Sequence, residues 1–174
     1  MHFSDRSRIY QNLPHAVPAR FRLLNLDLVF TTREHGHNLN TLYEKCGDEE
    51  PLLLIVETLE GHVFGAFLTT AMSQRDSKKY HGQGEVFVFS LKPKAAQYKW
   101  CIKEDEDADS SFIMGAIDYF SVGAGGEGNA IWLNYDLTMT ASSRSATFEN
   151  EPLCGESKRT FQVGCVEVYR FTDG

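Results

Sequence analysis

Proline, cysteine and long apolar runs are all scarce in this sequence of 174 residues. It has 5 prolines and 4 cysteines, and its longest apolar run, 52–56, is far too short to span a bilayer. Because the cysteines are irregularly spaced and no signal-peptide pattern is present, a disulfide-built secreted scaffold is excluded and free thiols are expected. We therefore predict a cytoplasmic domain that associates with membranes only through the rest of a longer protein.

Basic residues are also fewer than acidic ones. Lysine and arginine number 17 against 24 aspartates and glutamates, which gives a formal charge of -7 and a pI near 5.3. Such a domain gains little from counterion release at a phosphate backbone, so nucleic acid is not expected as a partner. The apolar share of 42% and the chain length fit one folded domain.

Short runs of residues that suit strands dominate the chain. Strands are predicted at 26–30, 52–58, 62–69, 85–91, 98–102, 112–114, 119–122, 130–133 and 161–171. One amphipathic helix is predicted from Asn38, a good N-cap, to Cys46, with Gly47 as its C-terminal cap. Since strands and helices do not alternate regularly, the predicted fold is α+β and mainly β: an antiparallel β-sandwich flanked by short helices.

The first 24 residues differ from the remainder. They carry four arginines and two prolines and contribute few apolar residues before Leu23. Ser4 is a suitable cap for a short helix through Tyr10. We predict that residues 1–24 are a linker or N-terminal segment and that residues 25–174 form the domain.

A glycine-rich stretch, 123–128, formally satisfies the dinucleotide-binding pattern G-x-G-x-x-G. That pattern binds pyrophosphate only where it leaves a strand and opens a helix. Here the following residues 130–133 are strand-like, and Glu127 would bring a negative charge to the phosphate. The glycines are therefore interpreted as a turn with positive φ angles, and no cofactor is predicted.

Two stretches resemble metal sites only in part. Asp105, Asp107 and Asp109 occupy alternate places of a calcium loop, but its glycine and its twelfth-position glutamate are missing. The histidines at 35, 37, 62 and 81 have no zinc-type spacing with one another or with Cys46. No metal site is predicted, and the domain is expected to fold without one.

Two features leave catalysis open as an alternative. His81 near Glu85 suggests acid–base chemistry, but no nucleophile or oxyanion motif accompanies the pair. Cys154 lies close in sequence to Lys158 and Arg159, and positive charge favours the reactive thiolate. Cys154 is thus the candidate redox-sensitive residue, although an inert thiol is preferred. No catalytic residue is predicted.

Blocks of sequence spread over most of the chain resemble the TLDc domain family. They run in family order at 41–46, 52–56 with 63–67, 80–85 with 87–91, 123–128 leading into 130–133, 147–150 and 166–169. The resemblance implies a β-sandwich bordered by helices, no established catalytic residues and a role in resistance to oxidative stress. Ser145 stands where many relatives have cysteine, which argues against an antioxidant mechanism that requires that thiol.

Two blocks, 31–36 and 126–132, resemble most the branch in which a TBC domain precedes the TLDc domain. This resemblance implies an upstream TBC domain in cis, with residues 1–24 as the end of the linker between them. It also implies Rab GTPase-activating activity in that upstream domain, and a presynaptic, vesicle-associated location. Several relatives in the family associate with the vacuolar proton pump, so the resemblance also implies this pump as a partner.

The function predicted from these observations is that of a noncatalytic protein-interaction and regulatory module. Its candidate interaction surface is formed by glycines and acidic residues of two loops: Gly82, Gly84, Glu85, Gly125, Gly126 and Glu127. A purely structural role for these glycines in turns is the plain alternative. The rival function is a thiol-based redox enzyme or sensor that uses Cys154.

Overall fold

The computed structural model describes residues 17–72, 79–102, 108–157 and 159–173. The predicted helix from Ser4 to Tyr10 lies outside these residues. The described elements, in chain order, are α1 Ala19–Arg22, β1 Asn25–Thr31, α2 Thr32–His35, α3 Leu39–Cys46, β2 Leu52–Thr58, β3 Val63–Leu68, β4 Phe87–Lys92, β5 Ala96–Lys99, β6 Ile113–Gly115, β7 Tyr119–Val122, β8 Ile131–Asn134, β9 Met139–Ala141 and β10 Thr160–Thr172.

The strands pair antiparallel in the order β5-β4-β3-β2-β10-β9-β8-β7-β6, and β1 adds to β10. The long strand β10 belongs to two sheets, because Val163 to Arg170 pair with β2 whereas Thr160 to Gln162 pair with β9. Its register shifts between Val163 and Cys165, where the strand passes from one sheet to the other. The predicted fold class is confirmed: the chain is mainly antiparallel β-structure with a few short helices.

The core between the sheets explains the continuous apolar run of β2. Leu54 and Val56 pack in one buried cluster with residues of β8 such as Ile131. Leu53 and Ile55, on the opposite face of β2, pack in a second cluster. Because strand side chains alternate between faces, a strand covered on both sides must be apolar throughout.

The second cluster is covered by residues that precede β1. Val17 is buried there, and Phe21 packs against its edge. Phe87 and Phe89 both belong to this cluster, because residues two positions apart in a strand lie on the same face. Some residues before position 25 therefore contact the sheet, while the boundary at residue 24 stays a prediction.

The predicted helix is confirmed as α3. The Asn38 side chain accepts hydrogen bonds from the backbone N–H groups of Asn40 (2.8 Å) and Thr41 (3.2 Å), which satisfies two groups that the helix leaves unpaired. Gly47 ends the helix with a φ of 51°. No described helix is longer than the eight residues of α3, and none could span a membrane.

Four short elements differ from the sequence prediction. Strand β9 and the helices α1 and α2, of four residues each, lie in stretches where the sequence predicts no such element. Strand β5 ends at Lys99 rather than continuing to residue 102. After Lys99 the chain no longer pairs with β4, because its next residues bond elsewhere. The Trp100 Nε1–H donates to the Asp109 carbonyl (2.8 Å), and the Cys101 N–H donates to the Thr147 carbonyl (3.0 Å).

Candidate interaction surface

The first loop of the predicted surface lies between His81 and β4. Its start is attached to the edge strand β6 by two backbone hydrogen bonds between His81 and Ile113, of 2.9 and 3.0 Å. Gly84 lies beneath an indole ring, where a Cβ atom would be 2.5 Å from Trp100 Cε3. Only glycine permits this approach, so the loop backbone is held against Trp100.

The second loop is the glycine-rich turn between β7 and β8. Gly125 and Gly126 have φ angles of 76° and 63°, and a Cβ on Gly126 would lie 3.0 Å from the Arg144 carbonyl oxygen. The Ala124 carbonyl accepts the Ala146 N–H (2.9 Å), which fixes the turn to a neighbouring loop. Since strand β8 follows, this turn does not open a helix as a pyrophosphate site would require.

Trp100 and Asp109 connect the two loops. Trp100 covers Gly84 and donates to the Asp109 carbonyl, while the Asp109 Oδ2 atom lies 3.0 Å from where a Cβ on Gly125 would be. Asp109 Oδ1 accepts hydrogen bonds from the Ser111 N–H (2.8 Å) and the Thr147 hydroxyl (2.9 Å). Burial opposes ionisation of Asp109, but these hydrogen bonds lower its pKa overall. The structure thus brings the two loops together through residues that the sequence had not assigned to the surface.

The acidic residues of the surface are partly exposed and paired with arginines. Glu85 forms a two-pronged ion pair with Arg20, including a 3.0 Å hydrogen bond from Arg20 Nη1. Glu127 lies 3.5 Å from Arg144, which is bound more closely by Glu151 at 2.7 Å. Exposed ion pairs add little to folding stability, so both carboxylates can exchange their partners.

The cysteine of the alternative hypothesis is buried. Cys154 is 1% exposed, and burial, with a smaller effect of the Glu60 charge, raises the pKa of its thiol to about 12. A thiol with such a pKa holds little thiolate at neutral pH. The expectation that nearby positive charge would activate it has no support among the described residues, and Lys158 lies outside them.

The histidine and carboxylate of the acid–base alternative do not pair. His81 Nδ1 forms a hydrogen bond with the Thr70 hydroxyl, and burial lowers the pKa of the ring, whereas Glu85 binds Arg20. His35 accepts a hydrogen bond from the Thr31 N–H at 3.1 Å. Over the described ranges, no group of three His, Cys, Asp or Glu side chains is placed to hold a metal ion. Of the three aspartates that resemble part of a calcium loop, Asp105 and Asp107 lie outside these ranges.

The sequence profile described as "TLDc domain" matches residues 4–172. The chain belongs to the TLDc family. It is 33% identical to TBC1 domain family member 24 of Xenopus laevis, over 90% of this chain and 36% of that protein. It is 35% identical to the GTPase-activating protein skywalker of Drosophila melanogaster, over 89% of this chain and 28% of that protein. Oxidation resistance protein 1 of Bos taurus is 34% identical over 83% of this chain.

The TLDc domain thus spans about a third or less of the length of these relatives. Ser145, where the sequence resemblance predicts a departure from the family pattern, has a structural role. The buried Ser145 hydroxyl donates to Asn150 Oδ1 (2.6 Å), and the Asn150 amide in turn donates to the Ser143 carbonyl (2.9 Å). This serine fixes the loop that faces the glycine turn.

Proposed function

We propose that this TLDc domain is a noncatalytic interaction module that supports resistance to oxidation within a TBC-containing protein of vesicle traffic. The proposal is supported by the family match and by the names of the similar proteins, which include a GTPase-activating protein and an oxidation resistance protein. In this proposal an upstream TBC domain in cis carries any GTPase-activating activity. The rest of the full-length protein places the domain in the cytoplasm at vesicles, including presynaptic ones.

The observation that best supports the proposal is the link between the two glycine loops. Trp100 and Asp109 hold the loops in one arrangement, and each loop presents a partly exposed glutamate. A surface that is fixed before binding loses less conformational entropy when a partner docks. Its acidic side chains suit a protein partner with basic groups, and the vacuolar proton pump is the partner that the TLDc resemblance implies.

The rival function is tested by peroxide turnover. We expect the purified chain, supplied with dithiothreitol, to consume peroxide no faster than dithiothreitol alone, because its Cys154 thiol is buried and protonated. Cys154→Ala should give the same rate as the wild type. Alanine is preferred to serine here, since a serine would bury a hydroxyl at this position.

Cys101→Ala is the matched control, because Cys101 is the one cysteine that is not fully buried. A turnover well above the reductant background that is lost in Cys154→Ala and kept in Cys101→Ala would establish the redox enzyme. It would also overturn the noncatalytic proposal.

A further inference from the structure

An N-terminal arm, residues 17–22, lies against the first sheet, which contains β1 to β5 and the C-terminal part of β10. It covers the outer face of this sheet, opposite the core between the two sheets. Val17 is buried in the second cluster, and the ring of Phe21 lies 5.9 Å from that of Phe67 and 5.7 Å from that of Phe171. The Arg22 Nε–H closes the arm by donating to the Val17 carbonyl at 2.8 Å. Two apolar side chains therefore anchor a segment that is otherwise at the surface.

The arm reaches the candidate interaction surface through Arg20. Its guanidinium binds both carboxylate oxygens of Glu85, a residue 65 positions later in the chain. The hydrogen bond from Arg20 lowers the pKa of the Glu85 carboxyl, because it favours the charged form. Arg20 also lies over the Phe21 ring, 4.6 Å from its centroid. The arm thus presents an arginine and an aromatic ring together.

Two cavities flank the Arg20–Glu85 pair. One, of 270 Å³, is lined by Arg20, Phe21 and Phe67 with Glu85. The other, of 250 Å³, is lined by Pro18, Gly84 and Trp100 with Glu85. Glu85 lines both cavities, and so does the arm. The arm therefore occupies the middle of a groove that runs from the Phe67 ring to the Trp100 ring.

The contacts of the arm are weak in comparison with those of the sheet. Helix α1 has four residues, none of them buried, and its N-cap Pro18 supplies no side-chain hydrogen bond. The side chains of Arg20 and Glu85 are 61% and 41% exposed. Such a segment can leave the surface without unfolding the core, because few buried contacts hold it.

We propose that the arm is an internal ligand of this groove, and that a partner segment with an arginine next to an aromatic residue displaces it. The inference rests on the proposed role of the Glu85 loop as a binding surface, and it adds the chemistry of the partner. The carboxylate selects the guanidinium, and the Phe67 and Phe171 rings select the aromatic side chain. A tethered arm competes at a high effective concentration, so the free surface is hidden until the arm moves.

The test uses a fluorescent peptide with the sequence of residues 17–23 and the full 174-residue chain, measured by fluorescence anisotropy. The variant Phe21→Ala weakens the binding of the arm to the groove. It should therefore bind the added peptide at least about tenfold more tightly than the wild type does. Adding Glu85→Lys to this variant should reduce the affinity about tenfold or more, because the guanidinium loses its carboxylate. A peptide with glutamate in place of the arginine at position 20 should regain affinity for the Glu85→Lys form.

The matched control is Asp118→Lys in the Phe21→Ala background, which reverses an exposed charge on the turn between β6 and β7, outside both loops, and should leave peptide affinity unchanged. A folded Phe21→Ala variant that does not bind the peptide would overturn the inference, as would an equal loss of affinity in the Glu85→Lys and Asp118→Lys forms. If Phe21→Ala does not fold, Arg20→Ala replaces it with the same expectations. Peroxide turnover would overturn the proposed function without changing peptide affinity, so the two failures can be told apart.

Discussion

Gly65→Ala has the largest expected effect on the stability of the domain, although it adds only one methyl group. Gly65 lies in β3 between Ile55 of β2 and Phe89 of β4. An added Cβ would lie 1.8 Å from the Leu54 carbonyl oxygen and 3.0 Å from Phe89 Cζ. Because the nearest atom belongs to the backbone of the adjacent strand, relief requires the strands to separate. We expect a loss of about 3 kcal/mol or more, beyond ordinary overpacking.

Gly164→Ala is the matched control, since Gly164 is also a strand glycine and has no left-handed φ. The nearest atom to its added Cβ is 3.4 Å away, an ordinary contact. The stability of this variant should stay within about 1 kcal/mol of the wild type. Urea unfolding of both variants measures the difference, and equal midpoints would contradict the packing described for the centre of the first sheet.

Gly125→Val is expected to have the second largest effect. The residue has a φ of 76°, at which a β-branched side chain is strained by about 1 to 3 kcal/mol. Its Cβ would also lie 2.8 Å from Ala146 Cβ and 3.0 Å from Asp109 Oδ2. The valine must push the turn away from Asp109, so we expect a total loss of about 2 to 4 kcal/mol.

Gly61→Val is the matched control, because it introduces the backbone strain of a positive φ without the close contacts found at Gly125. Gly61 has a φ of 93°, but no atom lies within 4 Å of the position of its Cβ. Thermal melts should therefore show a smaller loss for Gly61→Val than for Gly125→Val, with the difference due to Ala146 and Asp109. Equal losses would show that the glycine turn does not rest against Asp109.

Much of the fold could be predicted because local patterns determine it. The hairpin of β2 and β3 follows from two apolar runs around Gly61, and α3 follows from the cap at Asn38 and the spacing of Leu39 and Leu42. Strand β9 could not be predicted in this way. It has three residues, and its buried Thr140 satisfies its hydroxyl by donating to the Trp132 carbonyl (2.8 Å), a contact set by strand pairing.

The candidate surface was only partly predictable, for the same reason. Glycine density marks the two loops, because few other residues tolerate their backbone angles. The link through Trp100 and Asp109 and the contact of Arg20 with Glu85 depend on distant parts of the chain. Cys154 was placed near positive charge by sequence proximity. The fold instead buries it beside Leu153, whose N–H donates to the Ser142 hydroxyl at 2.8 Å.

The most direct test of the interaction module is survival of peroxide-treated cells that express the full-length protein with both loop acids reversed, Glu85→Lys with Glu127→Lys. The control reverses two exposed aspartates on other turns, Asp118→Lys with Asp136→Lys, and so changes the net charge equally. We expect the loop variant to lose protection and the control to keep it, with both proteins folded and equally abundant. Full protection by a folded loop variant would contradict the proposal that these loops bind the partner.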